Sequence, residues 1–324
     1  MKLYCNVTRN NYIESRHEVY AVAINSVGKL IFSIGDPGYI TCVRSTLKPF
    51  QAAASIYLGA AQQAKFSQQE ISLMCASHNG EDIHTDLAKS MAKKLFLGEE
   101  NYQCGIHKPY ILFYNKTKNI KKLTAFHNNC SGKHSGMLAI AKQHNANPKN
   151  YIFPNHIVQK KIFSYIKSLL QKKNIIYGID GCGAPTPFLS LREIAFLFQR
   201  LGEKTNKELR MIYQSMYENP YIIAGKKRFD TKFIDILKGR GVCKVGGEGV
   251  RGFALNTTEH GNIGVVLKVL DGNQRAIDVA SMCILEQFGL INKDETKKLS
   301  MYRSKNIYNH AGTKTGKIIA NIIK

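Results

Sequence analysis

The sequence predicts a mixed α/β chain, of the α+β kind, built on one sheet to which both ends of the chain contribute. Two observations carry this. Strand-like runs rich in Val, Ile and Tyr gather near the start and the end, while alanine- and leucine-rich helical runs fill the middle. No Pro/Gly/Ser-rich linker and no internal repeat divides the 324 residues, so 1–324 is expected to be a single domain.

In order, residues 18–24 and 29–34 read as strands, with Ser26-Val27-Gly28 turning between them as in a hairpin. Residues 39–43 are a further extended piece. The alanine-rich run 48–62 predicts a buried helix, with Pro49 tolerated near its start. Helices are predicted at 70–75 and, amphipathic, at 86–96. Residues 98–129 are polar and loop-like, and helices follow at 132–144, 156–171, 191–202 and 206–219. Strands return at 242–245, 252–255 and 263–269, before a helix over 275–288. The last 20 or so residues, rich in Lys and Asn, are expected to fray.

Composition excludes more than it identifies. A hydrophobic content of 44% with 21% charged residues is that of an ordinary globular protein. The formal charge of +23 is unusual, and its lysines are scattered through 89–94, 116–122, 160–173 and 293–324. Such an excess can draw a protein to nucleic acid, and a basic nucleic-acid-binding protein is the rival that charge alone suggests. Scattered lysines without a familiar nucleic-acid module fit solvated faces better, so no nucleic-acid partner is expected. The first residues lack the positive leader and the apolar core of about 7–15 residues that a signal peptide needs. No apolar run reaches the roughly 18 residues that cross a bilayer, so no membrane partner is expected. A cytoplasmic location follows as the expectation, and the eight widely spaced cysteines are then reduced thiols, to be read first as metal-binding or reactive groups.

Four polar clusters stand out. The first is Arg44-Ser45-Thr46-Leu47-Lys48. A serine hydroxyl is a poor nucleophile unless a base takes its proton, and on a helix face a lysine three residues on can reach it. A lysine in a desolvated or cation-crowded pocket gives up its proton more easily and can be that base. Ser-x-x-Lys is also the opening motif of β-lactamases and penicillin-binding proteins, and a hydrolase of that acyl-enzyme type is the second rival. The second cluster, Cys75-Ala76-Ser77-His78-Asn79-Gly80-Glu81, suits a helix C-cap or, with Ser beside His and Asn, a proton relay. The third is His127-Asn128-Asn129-Cys130-Ser131-Gly132-Lys133-His134-Ser135-Gly136, ahead of a helix. Cys130 and Lys133 with the distant Cys182 could bind zinc, or the cysteines could be simple buried thiols. Asp180, on a Gly-flanked turn, suits a charge that meets a ligand's ammonium. The fourth cluster, Cys243-Lys244-Val245-Gly246-Gly247-Glu248-Gly249-Val250, is a Gly-rich hairpin or a counterpart of the Lys-Thr-Gly element of serine β-lactamases.

Together, RSTLKPFQ (44–51), ASHNGE (76–81), HNNCSGKHSGML (127–138), GIDGCGAPT (178–186), NPYIIAGKKRFDT (219–231), KVGGEGV (244–250) and VLKVLDG (266–272) resemble, in this order, the type III L-asparaginases of the Rhizobium etli type. The resemblance implies hydrolysis of L-asparagine to L-aspartate and ammonia. It implies Ser45 as nucleophile with Lys48 as its base, and Ser77 with Lys244 as a second pair. Arg44, His78 and Asp180 would hold the substrate's α-carboxylate and α-ammonium or orient the pairs. Cys130, Lys133 and Cys182 would bind a zinc ion that supports substrate binding. The fold implied is that of serine β-lactamases and glutaminases, a mainly antiparallel sheet flanked by helices, assembled as a homodimer. Two positions depart from the family's pattern. Gly247 stands where Ala is expected, and Asp230 replaces a cysteine that some relatives carry, with an effect on Lys133 or Asp180 as the expectation.

Overall fold

Leu3, Cys5 and Val7 turn inward at a period of two from the second residue onward, so the chain begins as a strand rather than as the polar stretch its Asn and Thr residues suggest. The structure, a computed structural model, describes residues 1–115, 120–204 and 206–323. Part of the predicted polar loop and lysine run, 116–119, lies outside the described residues. In chain order the strands are β1 (Lys2–Arg9), β2 (Tyr12–Ile24), β3 (Leu30–Ile34), β4 (Ile40–Cys42), β5 (Tyr177–Ile179), β6 (Pro185–Ser190), β7 (Gly241–Gly246), β8 (Val250–Thr257), β9 (Gly261–Val269), β10 (Ser304–Tyr308) and β11 (Lys314–Ile323).

The chain divides into two compact units. One comprises Met1–Thr46, Leu189–Glu203 and Lys232–Lys324; the other comprises Leu47–Phe188 and Lys204–Thr231. Both are assembled from separated stretches, so no single linker in the sequence could mark the division.

The first unit is built on an antiparallel sheet in the order β10-β11-β1-β2-β9-β8-β7, with β3 paired alongside β2. This is the antiparallel sheet flanked by helices that the family resemblance implies. The helix Leu191–Glu203 presents Ile194, Leu197, Phe198 and Leu201 to β8 and β9. Glycines let it settle closely. A Cβ at Gly264 would stand 1.8 Å from the Ala195 carbonyl oxygen, and one at Gly252 would stand 2.0 Å from the Phe198 ring. The helix Ile277–Gln287 packs on β1, β9 and β11. The expected fraying of the last residues is corrected here: β11 pairs with β1 from Lys2↔Ile323 to Arg9↔Gly316, and β10 adds outside it. Lysines at an exposed sheet edge look like a disordered tail in sequence, yet they are what edge strands use to stay solvated.

The second unit is helical around Ser131–Gln143, whose first eleven residues are all buried. Gly132 and Gly136 share one face of it, and Gln68–Cys75 crosses there: a Cβ at Gly132 would be 2.2 Å from the Leu73 carbonyl oxygen. Gln68–Cys75 starts at a capping box, Ser67 accepting from Glu70 N–H while the Glu70 carboxylate accepts from Ser67 N–H. The predicted helix 48–62 stops at Tyr57 because Gly59, at φ +80°, turns the chain before a short helix Ala60–Gln63. The helix predicted at 86–96 begins earlier, at Asp82. Ile157–Leu170 and Lys207–Glu218 form close to where they are predicted. In this unit β5 and β6 pair antiparallel, Tyr177 opposite Pro187.

Candidate active site

In the first unit the turn carrying Ser45 meets the end of β7. Arg44 takes a left-handed φ of +53°, and Arg44–Leu47 forms one 3-10 turn that runs directly into the helix Lys48–Tyr57. Pro49 sits in the first turn of that helix, where its missing N–H costs nothing. The Gly246-Gly247 pair fits against the turn. A Cβ at Gly246 would lie 2.4 Å from Thr46 Oγ1, and one at Gly247 would lie 3.1 Å from the Arg44 guanidinium carbon. The departure from Ala at 247 therefore leaves its space to Arg44. Arg44 also faces Glu248 at 3.9 Å, and the fully buried Lys244 donates to the Val245 carbonyl at 2.6 Å. Residues 44–46 of the first cluster and the fourth cluster are thus brought together within one unit, while Leu47 and Lys48 belong to the other.

In the second unit the second and third clusters meet around Lys48. Its side chain is fully buried, and Nζ donates to Ala76 O at 2.6 Å, Asn129 O at 2.9 Å and Ser77 Oγ at 3.0 Å. A lysine–serine bond between positions 48 and 77 is a pairing the sequence did not suggest. His78 stands behind it with both ring nitrogens occupied: Nδ1 accepts from Gly80 N–H at 3.1 Å, so Nε2 carries the proton and donates to Ser131 Oγ at 2.9 Å. Burial, with the charges of His84 and Lys48 adding, pushes His78 well below the usual imidazole range. Neutral and enclosed, His78 is placed to orient its neighbours.

Cys130, Lys133 and Cys182 also come together, all three nearly inaccessible to solvent. Lys133 Nζ donates to Cys182 Sγ at 2.8 Å, while the Cys130 thiol contacts Cys182 and lies 3.1 Å from Asn129 Oδ1. The hydrogen bond from Cys130, aided by the nearby Lys133 ammonium, lowers the Cys182 thiol from 9.0 to about 5; the same bond, together with burial, raises Cys130 to about 12. The cluster is therefore a thiolate–thiol pair with an ammonium against it. Burial works to lower Lys133, but the two cysteines and Asp180 outweigh it and hold its pKa above the ordinary value. Asp180 sits half-buried on its turn, with Oδ1 accepting from Gly181 N–H at 2.7 Å and Gly183 at φ +82° closing the bend. Asp230 is buried in the first turn of the helix Phe229–Leu237, and the charge of Asp180 bears on Lys133 and Cys182. None of the eight cysteines is in a disulfide. Among the described residues no three His, Cys, Asp or Glu side chains gather to hold a metal.

Partners that the sequence did not single out complete the arrangement. Asn128 fixes the loop by donating to the carbonyls of Cys104 (2.8 Å) and Gly105 (3.0 Å) while accepting from Cys130 N–H. Ser131 receives His78, and Tyr151 meets His134 Nδ1 at 2.5 Å. Asn128 and Ser131 stand inside the third cluster, where their density was a signal without an assignment.

A buried amine hydrogen-bonded to a serine hydroxyl can move a proton to or from that oxygen. The chain belongs to the L-asparaginase II family, whose profile it matches over residues 5–320. It is accordingly an amidohydrolase, an L-asparaginase. No curated protein matches it. Among solved structures it is similar to a β-lactamase from Francisella tularensis, at 11% identity over 84% of this chain and 94% of that one, with a TM-score of 0.42. It is also similar to Mglu in its native form in the presence of 4.3 M NaCl, at 12% identity over 85% of this chain and a TM-score of 0.38; the chain spans 62% of that protein's length. Among the described residues no helix is long and apolar enough to cross a membrane.

Proposed function

We propose that the chain hydrolyses the side-chain amide of L-asparagine through two serines and two lysines, Ser45, Lys48, Ser77 and Lys244. Ser45 attacks the amide carbon, and its proton passes to the lone pair of Lys48 in its neutral amine form. The Ser77–Lys244 pair delivers a proton to the departing ammonia, and water then releases aspartate from the acyl-enzyme. One observation above all supports this reading: the buried Lys48 amine is bonded at 3.0 Å to Ser77, so a proton arriving on Lys48 has a hydroxyl beside it to pass to. Backbone N–H groups around the nucleophile would stabilise the oxyanion, each worth roughly 3–4 kcal/mol. Arg44 and Asp180 would hold the substrate's α-carboxylate and α-ammonium, and His78, neutral on Ser131, would orient the Ser77 segment.

Zinc belongs to the same proposal. The chemistry of the donors fits it: two sulfurs and an amine, buried side by side, are N/S ligands of the type zinc takes. Cys130, Lys133 and Cys182 would hold it once Lys133 and Cys130 have lost their protons. When bound, the ion supplies a fixed positive charge that supports substrate binding. A homodimer in the cytoplasm, where thiols stay reduced, completes the reading.

Ammonia release from asparagine and from glutamine, by the parent and by Ser45→Ala, tests the assignment. Ser45→Ala should fold normally and turn over neither substrate. Near-native rates in that variant would remove Ser45 as nucleophile. One methylene is worth only about 1–3 kcal/mol of discrimination, so the glutamine arm also measures how selective the pocket is.

A further inference from the structure

One motif, residues 219–231, has no part in the reaction above. In the second unit it is laced to the segment that carries Ser77. Ser77 N–H donates to Ile223 O at 3.0 Å and Asn79 N–H to Ala224 O at 2.9 Å, a short ladder of backbone bonds. Beyond the ladder the side chain of Glu81 takes over. Its Oε1 accepts from Asn79 Nδ2 at 2.9 Å, from the Tyr114 hydroxyl at 2.7 Å and from Lys226 N–H at 2.9 Å. Its Oε2 accepts from the Tyr221 hydroxyl. Arg228 closes the ring by donating to Asn79 Oδ1 at 2.9 Å, with its guanidinium 4.7 Å from the centre of the Tyr110 ring.

The backbone is shaped for this. Gly225 lies at φ +104°, and a Cβ there would stand 2.4 Å from Glu81 Oε1 and 2.7 Å from Asn79 Nδ2. Glycine is needed twice over, for the angle and for the space. Burial alone would raise the Glu81 carboxyl, but the hydrogen bonds from Tyr221, Lys226, Tyr114 and Asn79 together hold it below its ordinary value. Glu81 is therefore an anion whose four donors come from three separate stretches of chain. Those bonds fix the segment that ends at Ser77, and the Lys48–Ser77 bond depends on where that segment lies.

We propose that Glu81 is a positioning residue for the amidohydrolase reaction: with Gly225, Lys226 and Arg228 it clamps the Ser77–Glu81 segment so that the Ser77 hydroxyl stays on Lys48. The proposal rests on the reading that Ser77 takes part in turnover. The clamp acts by placement, and a shift of about 1 Å in a reacting group costs up to roughly 100-fold in rate.

The test measures kcat and KM for asparagine, and the thermal midpoint, in Ser77→Ala, Glu81→Leu, Glu81→Gln and Gly225→Ala. Ser77→Ala should be inactive. Glu81→Leu should lose roughly 10- to 100-fold in kcat while KM stays within about threefold. Glu81→Gln keeps an acceptor oxygen for Asn79, Tyr114 and Lys226 and should regain most of that loss; Gly225→Ala should fall with the leucine variant. Should Glu81→Leu not fold, Tyr114→Phe combined with Tyr221→Phe removes two donors, keeps both rings and carries the same expectation. Full kcat in Glu81→Leu or in the tyrosine pair, beside an inactive Ser77→Ala, overturns the clamp and leaves the Ser77 assignment standing. An active Ser77→Ala overturns both. Equal losses in the leucine and glutamine variants that follow the thermal midpoint mark a merely structural role and overturn the clamp alone.

Discussion

Replacing Lys133 by Met removes the ammonium that sits 2.8 Å from the Cys182 sulfur. In the chelator-treated protein the Cys182 thiol is lowered from 9.0 to about 5, first by the Cys130 hydrogen bond and then by Lys133 and its hydrogen bond, against the cost of burial. The sign follows directly. A group whose folded pKa is depressed adds stability that is complete above its unfolded value and is lost as pH falls through the folded one. Stability should therefore climb between about pH 5 and pH 9, by at most about 5 kcal/mol at 1.36 kcal/mol per pH unit. Above pH 9 the trend reverses, because Cys130 is raised to about 12 and Lys133 is raised as well, so both are favoured folded only while protonated. Lys133→Met should raise the Cys182 pKa by about 1–3 and flatten the climb accordingly. Thiolate absorbance, taken as the difference between the parent and Cys182→Ser, reads the titration; urea unfolding across the same pH range reads the stability. If that difference shows no thiolate near neutral pH, the charged pair does not exist and the reasoning fails.

Lys48→Met should abolish turnover and also cost about 2–4 kcal/mol in urea unfolding, because the buried carbonyls of Ala76 and Asn129 lose their donor; an unchanged midpoint would contradict the geometry. Stripping zinc with a chelator should raise KM for asparagine, with zinc, followed by metal analysis, restoring it; a KM indifferent to the metal would count against the Cys130–Lys133–Cys182 set. Gly132→Ala should destabilise the protein by about 1–3 kcal/mol, since its Cβ meets the Leu73 carbonyl at 2.2 Å and backbone cannot step aside, and an unshifted thermal midpoint would show that the helices part freely.

What the sequence disclosed was what lies close along the chain. The helix over the alanine run and the hairpin strands of β8 and β9 depend on neighbours a few residues away, and they form near where they are predicted. β1 and β11 escaped because their partners lie at opposite ends of the sequence, and because Asn6, Thr8 and the lysines of the last stretch read as solvent-facing chain. The polar clusters were visible as clusters, since dense Ser, His, Asn and Cys among apolar residues is unusual. Their bonds were not. The i to i+3 spacing relates Lys48 to Ser45, but only the fold shows that Lys48 meets Ser77, or that Glu81 and Asn128 tie the loops around it.

The pairing of β11 with β1 also sets an order of events in synthesis. β1 finds one of its two neighbours soon after it is made, in β2, but its other edge stays open until β11, residues 314–323, has been made. Gly316 even keeps a place for it, with no Cβ where one would stand 1.9 Å from the Thr8 carbonyl oxygen. Until then nascent β1 is an unguarded ladder of N–H and C=O groups, the surface on which stray strands add. A chain cut short before 314 would keep that ladder permanently, and its fate would be association with other chains rather than a slightly smaller protein.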